Sequence, residues 1–284
     1  MLTTQKARDL RFADGLLCPT CRADAIKWGK ERDGTQRYRC KGCRKTFNDH
    51  SGTPVARTRL KAAWRPFSEA MRLGLSAPKS ATMAGISDAT AYAWRHRVLS
   101  HLDALALDQL DGVVEADETY LRRSYKGQRV KGRRRRRRGG QGSTRGLGRD
   151  KVPVLVACDR RGASHVTRVD VANIATITQV LADTVAPTAT LVTDGGSALA
   201  GAARALGLNH VALNTSRRVR KRGIYHTNTV NAAHNELKAF LSTFRGVSTS
   251  LLPRYLNWFR TRKTIGDYLP VVPVSTGPCP VCGR

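Results

Sequence analysis

Two cysteine pairs near the N-terminus constrain the fold of this chain more than any other sequence feature. Two residues separate Cys18 from Cys21, two separate Cys40 from Cys43, and 18 residues lie between the pairs. This spacing is typical of a zinc site with four thiolate ligands, because one tight turn presents both sulfurs of a pair to the same ion. Four thiolates leave no open coordination position, so we expect a structural zinc. The alternative, four free buried thiols, would make the paired spacing accidental.

The segment between the cysteine pairs has the composition of a small β-structure. Residues 26–29 and 36–39 are short strand-like runs that could pair as a ribbon around the metal. We expect this zinc ribbon to occupy residues 1–50. Basic side chains surround the cysteines and favour a DNA-contacting module, with Lys27, Arg37 and Arg39 as candidate contacts.

Basic residues outnumber acidic residues by a wide margin. Lys and Arg total 50 against 21 Asp and Glu, which gives a formal net charge of +29. This excess indicates a polyanionic partner, and nucleic acid is the leading candidate. A hydrophobic share of 40% is enough to bury a core and argues against a disordered chain. No apolar run approaches the roughly 18–20 residues that a membrane helix needs, and the opening segment MLTTQKARDL lacks a signal-peptide core.

Two segments concentrate the positive charge. Residues 126–151 hold 12 basic residues against the single Asp150 and have almost no apolar side chains, which predicts a flexible loop. A second basic run, 217–222, precedes a long amphipathic helix. Both segments are expected to contact the DNA backbone, and the candidate residues are Arg133, Arg134, Arg135, Arg217, Arg218, Arg220, Lys221 and Arg222.

Residues 51–108 have the pattern of a helix-turn-helix. Apolar residues recur at helical spacing from Leu60 to Leu75, and Gly85 offers a turn before a second helix with Ser87 as its N-cap. The second helix would offer DNA-contacting side chains, among which Trp94 is expected in the core: Asp88, Thr90, Tyr92, Trp94, Arg95 and Arg97. The alternative is a plain three-helix bundle that links two domains.

Strands and helices alternate over residues 109–265. Strands are expected over 111–120, 152–159, 164–171, 188–194 and 209–213, and helices over 173–182, 197–206 and 229–243. Asp117 lies within the first strand on the parity of Val113 and Glu115, and Asp194 lies at the C-terminal end of its strand, where open α/β sheets place their sites.

Two carboxylates at the ends of neighbouring strands in a basic protein call for a cation. Two Mg²⁺ ions suit this role when the substrate is a phosphodiester. The helix after the basic run supplies Asn231 as a third oxygen ligand, and Lys238 lies two turns further on the same face, where it could hold a phosphate. Taken singly, Asp117 or Asp194 could equally be an ordinary strand-end or turn aspartate.

Several neighbouring residues are alternative members of this site. Glu236 could replace Asn231 as the third ligand, although its spacing puts it on a different helix face. Glu115 and Glu118 flank Asp117 and are better explained as salt-bridged or supporting residues. His226 and Asn228 precede the helix and could touch DNA or its metals, and a hydrogen-bonded loop histidine is the simpler account of His226.

Three segments carry a resemblance to a known family. DGVVEADETYL, LVTDGG and YHTNTVNAAHNELKAFLSTFRGVSTSLLPRYLNWF look like the catalytic blocks of bacterial insertion-sequence transposases of the DDE superfamily, in the ISXO-like branch, which carries a zinc ribbon and a D, D, N, K signature. The resemblance runs from about residue 15 to 262. It implies an α/β, RNase H-like catalytic core, a mixed sheet with flanking helices, over 109–265, and it leaves 266–284 as a tail.

The resemblance also implies roles. Asp117 and Asp194 would be the first and second metal ligands, Asn231 would stand in the third acid position, and Lys238 would be the lysine that follows. An amide oxygen contributes no charge, so the second ion would depend more on substrate phosphates.

The implied protein is a transposase that binds the terminal inverted repeats of its element, cuts DNA and transfers the strand to a target. It would act as a homo-oligomer on DNA, cytoplasmic and associated with the bacterial nucleoid. The rival interpretations are an RNase H-like nuclease and an inactive, transposase-derived DNA-binding regulator. Cys279 and Cys282 form half of a metal site to which the sequence assigns no role.

Overall fold

The computed structural model describes residues 12, 15–102, 109–129, 148, 150–214 and 219–264. The chain divides into two compact units, residues 1–105 with 261–284 and residues 106–260. Within the described ranges no helix is long and apolar enough to cross a membrane. Seven of the basic and cysteine residues singled out from the sequence lie outside these ranges: Arg133, Arg134, Arg135, Arg217, Arg218, Cys279 and Cys282.

The first unit begins with a three-stranded antiparallel ribbon. Its strands are β1 (Ala25–Lys30), β2 (Gln36–Cys40) and β3 (Thr46–Asn48), with β2 in the centre. The sequence pattern predicted the first two strands and missed the third, which pairs Phe47 with Tyr38. Alternation along β2 buries Tyr38 and Cys40 on the inner face and leaves Arg37 and Arg39 on the outer face.

Three helices follow in the same unit: α1 (Lys61–Arg72), α2 (Ala77–Ala84) and α3 (Asp88–Leu102). Gly85 ends α2 in the left-handed conformation with φ of 64°, which glycine adopts without steric cost. The Ser87 hydroxyl accepts a hydrogen bond from the Thr90 backbone N–H at 3.2 Å and so caps α3. The predicted helix, glycine turn and capped helix are therefore present.

The second unit contains a five-stranded mixed sheet. Its strands are β4 (Val113–Arg122), β5 (Lys151–Asp159), β6 (Ser164–Arg168), β7 (Thr190–Thr193) and β8 (Asn209–Ala212), in the spatial order β6-β5-β4-β7-β8. Only β5 runs antiparallel to the others. This order and these directions are those of the RNase H-like fold, which confirms the predicted fold class.

Helices cover both faces of this sheet. On one face Val114 and Ala116 of β4 join a core with α4 (Ile174–Thr184) and α5 (Ser197–Ala205). On the other face α6 (Asn228–Ser242) packs against β4 and β5. Because side chains alternate along a strand, the residues of β4 that face α6 include Glu115 and Asp117.

Two smaller elements complete the described part of the chain. A short hairpin of β9 (Lys221–Arg222) and β10 (Tyr225–His226) immediately precedes α6. The sequence predicted this segment only as a basic run. The last helix is α7 (Leu252–Thr264), and its Tyr255 and Trp258 rings contact Phe244 of the loop after α6 with centroids 5.0 and 5.1 Å apart.

Candidate active site

Asp117 lies in the middle of the central strand and faces α6. Its backbone is paired with Val156 of β5, and its side chain is 25% exposed. The carboxylate accepts one hydrogen bond, from the Glu118 backbone N–H at 2.9 Å. Asp117 is thus held by a rigid strand and keeps an accessible edge.

Asp194 follows β7, the parallel neighbour of β4. Glu115 of β4 pairs with Val192 of β7, and continuing that register by two residues places Asp194 beside Asp117. The Gly196 N–H donates to the Asp194 Oδ1 at 2.9 Å. Gly195 has φ of 87°, and a Cβ at Gly196 would lie only 3.2 Å from the same oxygen. The LVTDGG motif therefore combines a strand-end carboxylate with the glycines that its turn requires.

The electrostatics of these carboxylates favour a cation. Burial, reinforced by the negative charge of Asp194, raises the pKa of Asp117 to about 6. Burial, together with Asp117 and Asp194, raises the pKa of Glu118 to about 7. Groups that repel one another in this way are relieved by a bound cation, and carboxylate oxygens are the ligands that Mg²⁺ prefers. The donor set fits magnesium.

Helix α6 presents three polar side chains towards this edge of β4. Asn231, His234 and Lys238 share a helix face by their spacing. The His234 Nδ1 lies 3.9 Å from the Asp117 Oδ2, and the positive charge of Lys238 acts on Asp117 to lower its pKa. Asn231 is exposed and makes a 3.5 Å contact with the Thr227 hydroxyl. The face that carries Asn231 is therefore the one that meets Asp117.

Sequence reasoning did not single out His234. Its side chain is buried, and its Nε2 lies in the interior without a hydrogen-bond partner. Burial, then the charge of Lys238, lowers the pKa of His234 to about 4. The imidazole is therefore neutral at neutral pH and adds no positive charge beside Asp117. The spacing of His234 could have predicted its burial, because it falls between Val230 and Leu237 on the buried stripe of the helix.

Glu115 is a fully buried carboxylate that joins β4 to the start of α6. It accepts hydrogen bonds from the Thr229 hydroxyl at 2.8 Å and from the Val230 backbone N–H at 3.0 Å. Its Oε1 also lies 2.8 Å from an Arg160 nitrogen and 3.3 Å from the His226 Nδ1. Glu115 is salt-bridged, as the sequence suggested, and it satisfies a donor that a helix N-terminus leaves free.

The remaining alternatives take other positions. Glu236 is exposed on α6 and lies two residues from His234, which puts the two on opposite sides of the helix. The Asn228 N–H donates to the His226 ring at 3.3 Å, so both residues belong to the start of α6. His226 is also bonded to Arg160 at 2.6 Å, which makes it a hydrogen-bonded loop histidine.

The four N-terminal cysteines converge as their spacing predicted. Their sulfur atoms all lie within 4.8 Å of one another. The Cys18 and Cys43 sulfurs are 3.7 Å apart, and those of Cys21 and Cys40 are 3.4 Å apart. A tetrahedral zinc with Zn–S bonds of about 2.3 Å requires sulfurs about 3.8 Å apart. The cluster can therefore hold a structural zinc.

The structure separates the DNA-contact candidates of the first unit into two groups. Lys27 is exposed and Arg37 and Arg39 are half-buried on the ribbon, where the Arg39 guanidinium lies 4.6 Å from the centroid of the Trp28 ring. Thr90 is half-buried, and its hydroxyl bonds the Ser87 hydroxyl at 2.9 Å.

Two arginines of α3 are occupied by internal contacts. Arg95 is buried and donates to the Leu75 carbonyl at 2.7 Å. Arg97 donates to the carbonyls of Pro54 at 3.2 Å and Ala56 at 3.1 Å. These contacts argue against the predicted DNA-binding role of both residues, because their guanidinium groups already hold the fold together. Asp88 and Tyr92 are the exposed candidates on this helix, and half of the Tyr92 surface is accessible.

In the second unit Arg220, Lys221 and Arg222 are exposed on and beside the β9–β10 hairpin. Arg160, which sequence reasoning did not consider, ties this hairpin to Glu115. The sequence gives no indication of this role, because Arg160 lies in the turn between β5 and β6 and arginine is common in surface turns.

Comparison with known proteins relates this chain to proteins of transposable elements. Residues 109–264 match the ISXO2-like transposase domain. A protein of Halobacterium salinarum, described as an uncharacterized protein in transposable element ISH50, is 34% identical over 265 residues, which cover 90% of this chain and 88% of that protein. The domain match includes the whole five-stranded sheet and α6, the elements that carry the acidic site.

Proposed function

The chain belongs to the ISXO2-like transposase family, and on that premise we propose that it cuts DNA at the ends of an insertion sequence and joins the cut ends to a target. One observation carries the proposal: Asp194 follows the end of β7, the parallel neighbour of the strand that carries Asp117, and its negative charge helps to raise the pKa of Asp117. Two neighbouring carboxylates that repel each other do not stabilise a basic protein. Metal-dependent phosphoryl transfer on DNA, in contrast, requires such a pair as ligands for the metal ions.

In this proposal Asp117, Asp194 and Asn231 hold two Mg²⁺ ions. When bound, such a pair activates the attacking oxygen and stabilises the leaving oxygen of an in-line displacement. In the first step water attacks a phosphodiester at the 3′ end of the element, the P–O bond breaks, and a 3′-hydroxyl is released. In the second step that 3′-hydroxyl attacks a phosphodiester of the target, and a target 3′-hydroxyl leaves.

The chain's own residues position the substrate for both steps. Lys238 would contact a non-bridging phosphate oxygen, which is supported by its charge acting on Asp117 across the site. His234 is neutral and buried, so it would keep water away from the inner side of Asp117. Glu115 fixes the first turn of α6 and thereby the placement of Asn231 relative to the strand.

DNA outside the cleavage site would be held by basic side chains of both units. The ribbon offers Lys27, Arg37 and Arg39, and the hairpin region offers Arg220, Lys221 and Arg222. Because these contacts are made to phosphates, affinity should fall steeply as salt is raised. We propose that the element ends are bound by more than one copy of the chain, since two ends must be joined in one event.

The test is cleavage of a labelled duplex that carries the sequences flanking the gene, with the full chain, Mg²⁺ and the Asp194→Asn variant. Loss of a hydrogen bond to a metal ligand alone costs about 10–100-fold in activity, so loss of the ligand should reduce cleavage at least that much while binding is retained. Asp183→Asn, an exposed aspartate on α4, is the matched control. Binding without metal-dependent cleavage in the unmutated protein would favour a DNA-binding regulator. Cleavage without joining of a pre-cut end would favour a nuclease.

A further inference from the structure

The hairpin β9–β10 has an apolar tip. Arg222 pairs with Tyr225, so the turn consists of Gly223 and Ile224, with Gly223 at φ of 59°. Ile224 is 69% exposed, more than any other large hydrophobic side chain in the described ranges. A single exposed aliphatic side chain is common on protein surfaces. Ile224 differs in its position, because it lies at the tip of a two-residue turn directly beside exposed cationic residues.

Positive charge surrounds this tip. Arg220, Lys221 and Arg222 are all exposed. The sequence contains no aspartate or glutamate from residue 195 to residue 235. A surface with an apolar point and cationic flanks suits duplex DNA, in which stacked bases lie behind a phosphate backbone. It suits an apolar protein partner poorly, because three cations would have to be desolvated.

The hairpin is anchored next to the candidate active site. Arg160 lies 2.6 Å from the His226 Nε2 and donates to the Ile224 carbonyl at 3.4 Å. The same guanidinium pairs with Glu115 at 2.8 Å. Glu115 lies two strand residues from Asp117, a separation of about 7 Å. A duplex bound with its scissile phosphate at Asp117 therefore passes the hairpin.

We propose that Ile224 is an apolar wedge that inserts between base pairs beside the scissile phosphate, while the cations at its flanks hold the backbone. This inference rests on the proposed function, because it assumes that DNA is cut at Asp117. Insertion partly unstacks a base step and bends the duplex, which would expose the phosphodiester to in-line attack. Arg160 is the residue that keeps the tip in place during insertion.

The test compares Ile224→Ala with Ile224→Met in the full chain, on duplexes that are either fully paired or mismatched at the cleavage step. Val171→Ala, a change at another exposed aliphatic residue, 58% accessible, is the matched control. We expect Ile224→Ala to cut the paired duplex about tenfold more slowly or worse, and to cut the mismatched duplex at the rate of the unmutated protein, because the mismatch is already unstacked. Ile224→Met and the control should cut both duplexes normally.

A fluorescence measurement tests the wedge independently of cleavage. 2-Aminopurine placed at the cleavage step should brighten when the unmutated protein binds, and this rise should be absent with Ile224→Ala. Equal rates for Ile224→Ala and the unmutated protein on paired DNA would overturn the wedge, as would an equal slowing on both duplexes. Failure of the unmutated protein to cut any duplex would instead overturn the proposed function, while the 2-aminopurine signal would still decide whether Ile224 inserts.

Discussion

Replacing Glu115 with glutamine should loosen the start of α6. The carboxylate is fully buried, and three of its close partners donate to it: the Thr229 hydroxyl, the Val230 N–H and the Arg160 guanidinium, at 2.8, 3.0 and 2.8 Å. Glutamine keeps one acceptor oxygen and turns the other into an NH₂ group, so one donor must face another. A hydrogen bond to a charged group contributes about 1.5–3 kcal/mol. We therefore expect Glu115→Gln to lower the free energy of unfolding by about 2 kcal/mol.

The same substitution should reduce DNA cleavage. If the whole loss falls on the docking of α6 against β4, Asn231 and Lys238 leave their positions, and the rate falls by up to about 30-fold. The measurements are urea denaturation and Mg²⁺-dependent cleavage of the full chain. Asp183→Asn makes the same chemical change at an exposed helix position and should alter neither quantity. An unfolding free energy within about 0.5 kcal/mol of the unmutated protein, with full activity, would refute the view that Glu115 anchors α6.

Two further predictions follow from burial and charge. Because burial and Asp194 raise the pKa of Asp117 to about 6, its ionised form destabilises the folded chain above that pH, so Asp117→Asn should stabilise magnesium-free protein by about 1–2 kcal/mol at pH 8. The gain should disappear as the pH falls towards 4, and a gain independent of pH in urea denaturation would contradict this account. Trp28 is 44% exposed, whereas Trp64, Trp94 and Trp258 are 5%, 6% and 0% exposed. Acrylamide should therefore quench mainly the fluorescence of Trp28, and saturating DNA should reduce this quenching. Quenching that DNA leaves unchanged would exclude the outer face of the ribbon from DNA contact.

The core strands and helices were predictable because their signals are local. The strand that carries Asp117 alternates in polarity, β5 is a continuous apolar run, and the bounds of α6 differ from the predicted helix by one residue at each end. The third ribbon strand and the β9–β10 hairpin were missed because both are only two or three residues long. Elements that short have no periodicity to detect.

The roles of charged side chains were less predictable than the elements that carry them. Arg95 and Arg97 are residue types that DNA-binding helices commonly use for phosphate contacts. In the structure, however, both side chains donate hydrogen bonds to backbone carbonyls of preceding segments. Whether an arginine on a helix faces solvent depends on which helix face packs against the rest of the protein. The sequence of α3 does not indicate that face, because polar and apolar residues are spread around the helix. Tyr92 lies on the same helix and has half of its surface exposed.

The sequence by itself determined the four converging cysteines, the order of the five sheet strands and the helices between them, and the two carboxylates on and after those strands. Each of these features depends on local spacing or on a charge that is rare in its surroundings. Three features depend on the tertiary structure alone. Glu115 accepts a hydrogen bond from the start of α6, Arg160 links Glu115 to the hairpin, and Ile224 is exposed at the tip of that hairpin. Those contacts join residues that are distant in the chain: Arg160 and Ile224 are 64 positions apart, and Glu115 and Val230 are 115 apart. Such pairs leave no periodic trace in a sequence, since their proximity is created only when the helix docks on the sheet.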